Sequence, residues 1–363
     1  MLPGMARRRG DPQFERASGG RALGGRDRSL RARVRRRRLI AALAVPLTAA
    51  LVWLLASSGG GSPTGAKTSK GTLTTAGATT APSHSAPVSA ATRPRTARLA
   101  VAPRLLVSPT PASAPTWTVV AQVRGRPAAW LKQAGGVTLM RFDQGHVHLT
   151  LHAGSLDGGA GPWTYGDQIT AREIHQVVAA FNGGFRLTYA NVGFVSGGRV
   201  AVALKRGLAS IVTYTDGTTG IGAWQEGVPT ATRHVFSVLQ NQSLLVDRGV
   251  AAPNVSSCVL ACWGATIKSV TVVARSGIGI TAGGQLVWAA GEQLTPAQLA
   301  SALIGAGAIR AVELDINPDW VAGYLYVHHP SGPVASPVVP GQLGIAGQLL
   351  APYTRDFLAV VAN

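Results

Sequence analysis

Residues 209–224 read ASIVTYTDGTTGIGAW, two β-rich runs on either side of Asp216-Gly217. An Asp-Gly step supplies the positive φ angles of a tight hairpin, so 209–215 and 220–224 are expected to pair antiparallel. The pattern recurs outward from this point. Runs 270–280 and 285–289 flank Ala282-Gly283-Gly284, and runs 137–142 and 146–152 flank Asp143-Gln144-Gly145, each pair reading as a hairpin. Two helices interrupt the strands. The first starts at Thr170, where Thr170 and Glu173 make a capping box, and is expected to reach about Ala180. The second starts at Thr295, with Pro296 in the first helical position and Gln298 completing its box, and stops near Gly305 or Gly307. A strand is expected over 309–316, and another closes the chain over 357–361. The expected class is α+β: mostly antiparallel sheet with hairpins and two or more helices.

Upstream of this domain the composition changes twice. The 363-residue chain carries 34 Lys+Arg against 15 Asp+Glu, a formal charge of +19, but unevenly. Residues 1–38 hold 13 arginines and three acids, and 57–115 hold six cations and no acid, whereas 116–363 hold 15 cations and 12 acids. The large segment lacks the concentrated basic face that displaces counterions from nucleic acid, so no nucleic-acid partner is expected. It is long enough for one sizeable core.

Residues 39–56 (LIAALAVPLTAALVWLLA, Leu39 to Ala56) are free of charge. As a helix they span roughly 27 Å, the hydrocarbon thickness of a bilayer. Four arginines, Arg35 to Arg38, border the run and favour a cytoplasmic N-terminus with everything after Ser57 outside. The expectation is a transmembrane signal anchor. A signal peptide cleaved near Ala56 or Ser58, releasing a secreted domain, is the competing reading. Residues 57–115 are Ser, Thr, Ala, Gly and Pro with little to bury, as in a disordered tether. Cys258 and Cys262 are the two cysteines of the chain, and outside the cytoplasm they are expected to form a disulfide.

Four constellations carry candidate chemistry. In Phe181-Asn182-Gly183-Gly184-Phe185, paired glycines let a ligand approach the main chain and let successive N–H groups meet an anion. The plainer reading is a helix C-cap and turn. In Glu313-Leu314-Asp315-Ile316-Asn317, strand alternation puts Glu313, Asp315 and Asn317 on one face, with two carboxyl groups spaced to act across a glycosidic bond. A salt-bridged strand end is the plainer reading. Arg275-Ser276-Gly277-Ile278-Gly279 lacks the spacing and following helix of a dinucleotide loop, which leaves Arg275 as a candidate clamp for phosphate or carboxylate. His146, His148 and His152 share a strand face, yet no carboxylate motif completes a metal set, so no metal or other cofactor is expected. No G-x-S-x-G elbow, Walker loop or H-E-x-x-H occurs.

Taken in order, these pieces resemble the phosphodiester glycosidase family over roughly 135–361. The resemblance rests on FNGGF at 181–185, Gly193, Asp216-Gly217, Gln240-Asn241 and Leu245-Val246-Asp247. It continues through Trp263-Gly264, RSGIG at 275–279, LTPAQLASAL at 294–303 and Glu313-Leu314-Asp315. High Ala, Arg and Gly content suits a bacterial surface version. The resemblance implies hydrolysis of a sugar-1-phosphodiester, with Asp315 as base or nucleophile and Glu313 as acid or positioning residue. Asn182, Gly183, Gly184, Arg275, Ser276 and Asn317 would then bind a carbohydrate-phosphate substrate in a wall polymer or glycolipid. The family pattern places several glycines and a serine after the aspartate, whereas this chain has Ile316-Asn317-Pro318-Asp319-Trp320. That stiffer step favours the alternative, a non-catalytic envelope protein of the same fold that grips a wall glycan.

Overall fold

The computed structural model describes residues 104–105, 116–159 and 161–363. The basic leader, the apolar run 39–56 and the rest of the tether lie outside the described residues. Among those described, no helix is long and apolar enough to cross a membrane.

The chain opens with β1 (Arg104–Leu105), β2 (Thr118–Val123), β3 (Arg126–Ala134), β4 (Val137–Phe142), β5 (Val147–His152) and β6 (Val177–Asn182). Next come α1 (Leu187–Ala190), β7 (Phe194–Ser196), β8 (Arg199–Val202), β9 (Ala209–Tyr214) and β10 (Thr219–Ala223). Then follow β11 (Val235–Gln240), β12 (Leu244–Asp247), β13 (Val250–Ala251), α2 (Val259–Cys262), β14 (Val273–Thr281) and β15 (Leu286–Leu294). The last elements are α3 (Pro296–Gly305), β16 (Ala308–Glu313), β17 (Gly323–His329), β18 (Gly332–Pro337) and β19 (Phe357–Ala362). They build a nine-stranded sheet ordered β1-β2-β3-β4-β15-β14-β16-β12-β13 and a five-stranded sheet ordered β18-β17-β6-β19-β5. A second five-stranded sheet runs β10-β9-β11-β7-β8. Every paired strand among the described residues is antiparallel, and β1 extends the large sheet from within the expected tether. The fold is sheet-dominated α+β.

Alternation places the layers. On β15, Leu286, Trp288 and Ala290 enter the main core between sheets, while Val287 and Ala289 turn toward α3. On β19, Leu358, Val360 and Ala362 enter the same core, while Phe357, Ala359 and Val361 face an outer cluster with Ile169, Tyr324 and Tyr326. α3 lays Leu299, Ala300 and Leu303 on the opposite face of the large sheet. Gly277 of β14 makes that approach close, and Gly279 lets β16 pack close beside it. A Cβ on Gly277 would lie 2.9 Å from Val312 O and 3.3 Å from Leu299 Cδ2. One on Gly279 would lie 2.7 Å from Ala308 Cβ and 2.8 Å from Arg310 O.

Local signals and observed elements agree at several points. The Asp216-Gly217 hairpin forms as β9–β10, and β14–β15 pair across 282–284. α3 carries the full Thr295–Gln298 capping box with Pro296 at its start. Two expectations are corrected. Strands β4 and β5 do not pair with each other: β4 lies between β3 and β15, and β5 lies against β19 in another sheet. The intervening turn does form, His146 N and Val147 N donating to Asp143 O, but a reversal signal says nothing about the strand's partner. The helix expected from Thr170 to Ala180 is also absent. A turn occupies 171–176, and 177–182 form β6 between β17 and β19. Val177-Val178-Ala179-Ala180-Phe181 is a short apolar run, buried throughout, and its β-branched start suits a central strand. The Thr170–Glu173 contact exists nonetheless, Thr170 N donating to Glu173 Oε2 at 2.9 Å. The other carboxyl oxygen accepts from Thr150 Oγ1 at 2.6 Å, so Glu173 ties the turn to β5 instead of starting a helix.

This packing predicts opposite responses at two glycines. Gly279→Val should destabilise by about 1–3 kcal/mol, because backbone and neighbouring Cβ atoms cannot retreat far. Gly305→Ala, with nothing within 4 Å of the added carbon, should stabilise by about 0.5–1 kcal/mol through helix propensity. Thermal unfolding of both variants checks this, and an unaffected Gly279→Val protein would contradict the close packing of β14 against β16.

Candidate functional site

Three strand ends converge where the large sheet meets the β17-β6-β19 sheet. Asn182 ends β6, Glu313 ends β16, and Arg355-Asp356 immediately precede β19. Ser276 on β14 links them. Its Oγ accepts from Asn182 Nδ2 at 2.8 Å and from Asp315 N at 3.3 Å. Asn241 braces the end of β16, its Nδ2 donating to Glu313 O and, at 2.9 Å, to Leu314 O.

Arg355 lies at the centre and is buried. Its Nη2 donates to Asp315 Oδ2 at 3.0 Å and to Gly184 O at 2.9 Å. Its Nε sits 2.5 Å from Asp157 Oδ2, an ion pair in which the N–H is not aimed at the oxygen. Asp315 Oδ1 accepts from Ile316 N at 2.7 Å and Asn317 N at 2.9 Å. Asp356 Oδ2 accepts from Gly184 N at 3.0 Å, and Asp356 O accepts from Gly183 N at 3.0 Å. A Cβ on Gly183 would overlap the Asp356 carboxylate, so glycine is required for that approach. Among the buried acceptors of this region, Asp356 Oδ1 and Asn241 Oδ1 have no hydrogen-bond partner, as is also true of Glu313 Oε2 and of Asp157 Oδ2 in its ion pair.

Glu313 belongs to the other face of the sheet. It pairs across the ladder with Gly277, whose missing Cβ would meet α3. Its Oε1 accepts from Arg275 Nη1 at 2.7 Å. Arg275, fully buried, gives its remaining hydrogen bonds to the carbonyls of Leu294, Trp263 and Thr271 at 3.0, 2.9 and 3.3 Å. The expectation that alternation carries Glu313, Asp315 and Asn317 on one face is therefore corrected: β16 stops at Glu313, and the backbone beyond is no longer a strand. Asn317 is exposed at the rim, its Oδ1 accepting from Asp319 N at 3.0 Å. Cys258 and Cys262 form a disulfide with Cα atoms 5.4 Å apart, which suits an oxidising compartment.

Burial sets the protonation of the cluster. It pushes the Asp356 carboxyl up to about 7 against the pull of Arg355. It pushes Asp315 up to about 6, with Arg355 and the Asn317 and Ile316 N–H groups opposing. Asp157 is raised by the same desolvation, offset by Arg355 and Arg186. Burial raises Glu313 as well, although Arg275 pulls the other way. Raised carboxyls of unequal value in one site are the raw material of general acid–base chemistry. The space a cation would take between Asp157 and Asp315 is filled by the Arg355 guanidinium. No group of three or more His, Cys, Asp or Glu among the described residues is arranged to hold a metal. His146, His148 and His152 go to three separate partners, Asp143, Asn363 and Glu173.

The structure thus brings Asn182, Gly183, Gly184, Ser276 and Asp315 together and sets Glu313 and Arg275 behind them. Asp157, Arg355 and Asp356 were not picked out from sequence. A signal existed for two of them: Arg355-Asp356 abut the wholly apolar FLAVVA, where charge is costly unless paired. Asp157, in a glycine-rich loop, gave none.

No family model matches the chain, and no curated protein matches it. Among solved structures, the chain is similar to the catalytic domain of zebrafish N-acetylglucosamine-1-phosphodiester alpha-N-acetylglucosaminidase auto-inhibited by its pro-peptide. The identity is 13% and the TM-score 0.40, over 72% of this chain and 87% of that one. It is also similar to a hypothetical protein from Synechocystis at 14% identity and TM-score 0.35, covering 69% and 64% of the two chains. A putative exported protein from Burkholderia pseudomallei gives 12% identity and TM-score 0.32, covering 65% and 75%. These are distant likenesses of fold.

The buried acids make stability depend on pH with a definite sign. Asp315 and Asp356 bind protons more tightly folded than unfolded, so their contribution is present at low pH and lost as pH rises through about 6 and about 7. Glu173, held down to about 2 in its buried bonds with His152, Thr150 and Thr170, acts oppositely and loses its contribution as pH falls below its ordinary value. The melting temperature should therefore rise as pH is lowered from about 8 to about 5 and fall again below about 4. Asp356→Asn should flatten the upper limb. A melting temperature that rises steadily from pH 5 to 8 would refute the assignment.

Proposed function

We propose that the domain is an extracytoplasmic hydrolase that cleaves the bond between a sugar's anomeric carbon and a phosphodiester. The observation carrying this reading is the set of buried carboxyls gathered around Arg355, Asp315 and Asp356 above all, both raised by burial, with Asp356 Oδ1 left without a partner. Asp315 is held by a guanidinium and two N–H groups, which favour its charged form. It serves as base toward water or as nucleophile toward the anomeric carbon. The carbon–oxygen bond to phosphorus breaks, and the phosphate monoester departs with the electron pair. Asp356, still partly protonated near neutrality, has an unpartnered oxygen to offer a hydrogen bond to the departing group or a sugar hydroxyl. The N–H groups of Gly183 and Gly184 serve Asp356, and Arg275 serves Glu313. Phosphate recognition accordingly falls to half-buried Arg186, whose Nε has no hydrogen-bond partner and which neighbours Arg355 across Asp157. Glu313 acts as a positioning residue through Arg275.

A second reading, a module that binds a wall glycan without cleaving it, is favoured by one observation. The turn after Asp315 directs the Ile316 and Asn317 N–H groups at Asp315 itself instead of leaving them for a ligand.

Release of reducing sugar from a panel of sugar-1-phosphate diesters by the full chain in detergent decides between them. In the hydrolase reading Asp315→Asn lowers turnover by about 10²-fold or more. Stability falls by no more than one buried hydrogen bond costs, about 1–3 kcal/mol. Arg355 keeps Asp157, while the amide nitrogen loses one of the carboxylate's acceptor contacts, so turnover is compared per folded molecule. Saturable retention of a diester with no sugar released would establish the binding module instead.

A further inference from the structure

The loop between α2 and β14 carries apolar side chains that the site does not use. Ile267 is 83% exposed, Val270 45% and Val272 39%, three large aliphatic residues within six positions. A tight turn fixes their direction. Thr266 Oγ1 donates to Val270 O at 2.5 Å and Ser269 N donates to Thr266 O at 3.3 Å, while Lys268 and Ser269 adopt positive φ of 63° and 54°. Two successive non-glycine residues in the left-handed region persist where the surroundings impose them, commonly beside functional sites.

The root of the loop is part of the site's own framework. Arg275 donates to the carbonyls of both Trp263 and Thr271, clamping its two ends. A Cβ on Gly264 would lie 2.4 Å from Ile316 Cδ1 and 3.1 Å from Phe185 Cζ, the residues that adjoin Asp315 and Gly184. The Cys258–Cys262 disulfide lies just before it. The loop is thus a preformed prong anchored next to the acid cluster.

We propose that this prong inserts into the outer face of the bilayer and sets the site over lipid-linked sugar-phosphodiesters. The substrate half of this statement rests on the hydrolase reading; insertion does not. Three aliphatic side chains are too few for a stable protein interface, yet they suit shallow insertion between headgroups, with Lys268 placed to meet anionic lipid. The sequence supplies proximity. If the run 39–56 spans the bilayer, the 47 residues 57–103 connect it to β1, with a root-mean-square reach of about 35–40 Å. Held that near, a weakly inserting loop is engaged by effective concentration alone.

The test reconstitutes the full chain in nanodiscs of phosphatidylcholine with phosphatidylglycerol. An environment-sensitive fluorophore is attached at Ile267→Cys and, as a control, at Val334→Cys, which is 52% exposed on β18. Insertion predicts a blue shift and loss of emission with brominated lipid at 267 and neither at 334. Water-like emission at 267 overturns the proposal. A blue shift that needs no lipid and reverses on dilution also overturns it, in favour of a second copy of the chain. Ile267→Asp should then lower kcat/KM on a bilayer-embedded diester about tenfold, the order expected for one buried aliphatic side chain, and leave a soluble short-chain diester unaffected. Insertion without turnover of either diester would sink the hydrolase reading and leave the prong standing. Equal loss on both substrates would show that the residue acts on the site and not on the membrane.

Discussion

A buried guanidinium organises this domain. Arg355 cannot shed its charge, and an unpaired ion in the interior costs several kcal/mol even after relaxation. Asp157 from a glycine-rich loop, Asp315 from beyond β16 and the Gly184 carbonyl after β6 are all drawn to it, so three distant segments share one electrostatic partner. The carboxyls outnumber what one guanidinium can neutralise in a dry site. Burial is what raises them, and Arg355 pulls each back only in part; Asp356 has no hydrogen bond to the guanidinium at all.

A second buried pair, Arg275–Glu313, sits behind the first on the helix-facing side of the sheet. The surroundings of each pair leave a buried acceptor unpartnered, Glu313 Oε2 here and Asp356 Oδ1 around Arg355, but the pairs differ in how their guanidinium donors are used. Arg275 spends its donors on three carbonyls and one carboxylate, which suits holding the disulfide loop and the end of β16 in place. Around Arg355, Asp356 Oδ1 is still unpartnered, and a buried acceptor in that state is a place for a ligand's hydroxyl. Framework and site are thus divided between the faces of one strand end.

How much of this the sequence disclosed follows the range of each interaction. The β9–β10 turn and the α3 cap are governed by residues within a few positions, and both were legible. The glycines at 277 and 279 were legible as a motif but not as close-packing positions, since their neighbours, α3 for Gly277 and β16 for Gly279, come later in the chain. The run 177–181 was misread as helix because burial on both faces erases periodicity, and its strand identity comes from β17 and β19 far along the sequence. Asp315 was found and its relation to Glu313 was not. Alternation holds only while the ladder continues, and Asn241, reaching the carbonyls of Glu313 and Leu314, takes over at the point where it stops.

The turn after Asp315 explains why two aspartates so close together need not behave alike. With glycines in that turn, the N–H groups would be free to face a substrate; here Ile316 N and Asn317 N both close on Asp315 Oδ1, and Asn317 O in turn accepts from Trp320 N and Val321 N. Asp315 therefore has two N–H donors and a guanidinium stabilising its charge, whereas Asp356 has the Gly184 N–H and a guanidinium that makes no hydrogen bond to it. Burial raises both, and the difference in donors leaves Asp315 the lower. The donors thus favour the charge on Asp315 over Asp356. A glycan grip needs hydroxyl partners and is indifferent to that ordering, whereas bond cleavage needs a base beside an acid. The stiff turn thus withdraws two donors from the substrate, and the same hydrogen bonds create the asymmetry on which hydrolysis would run.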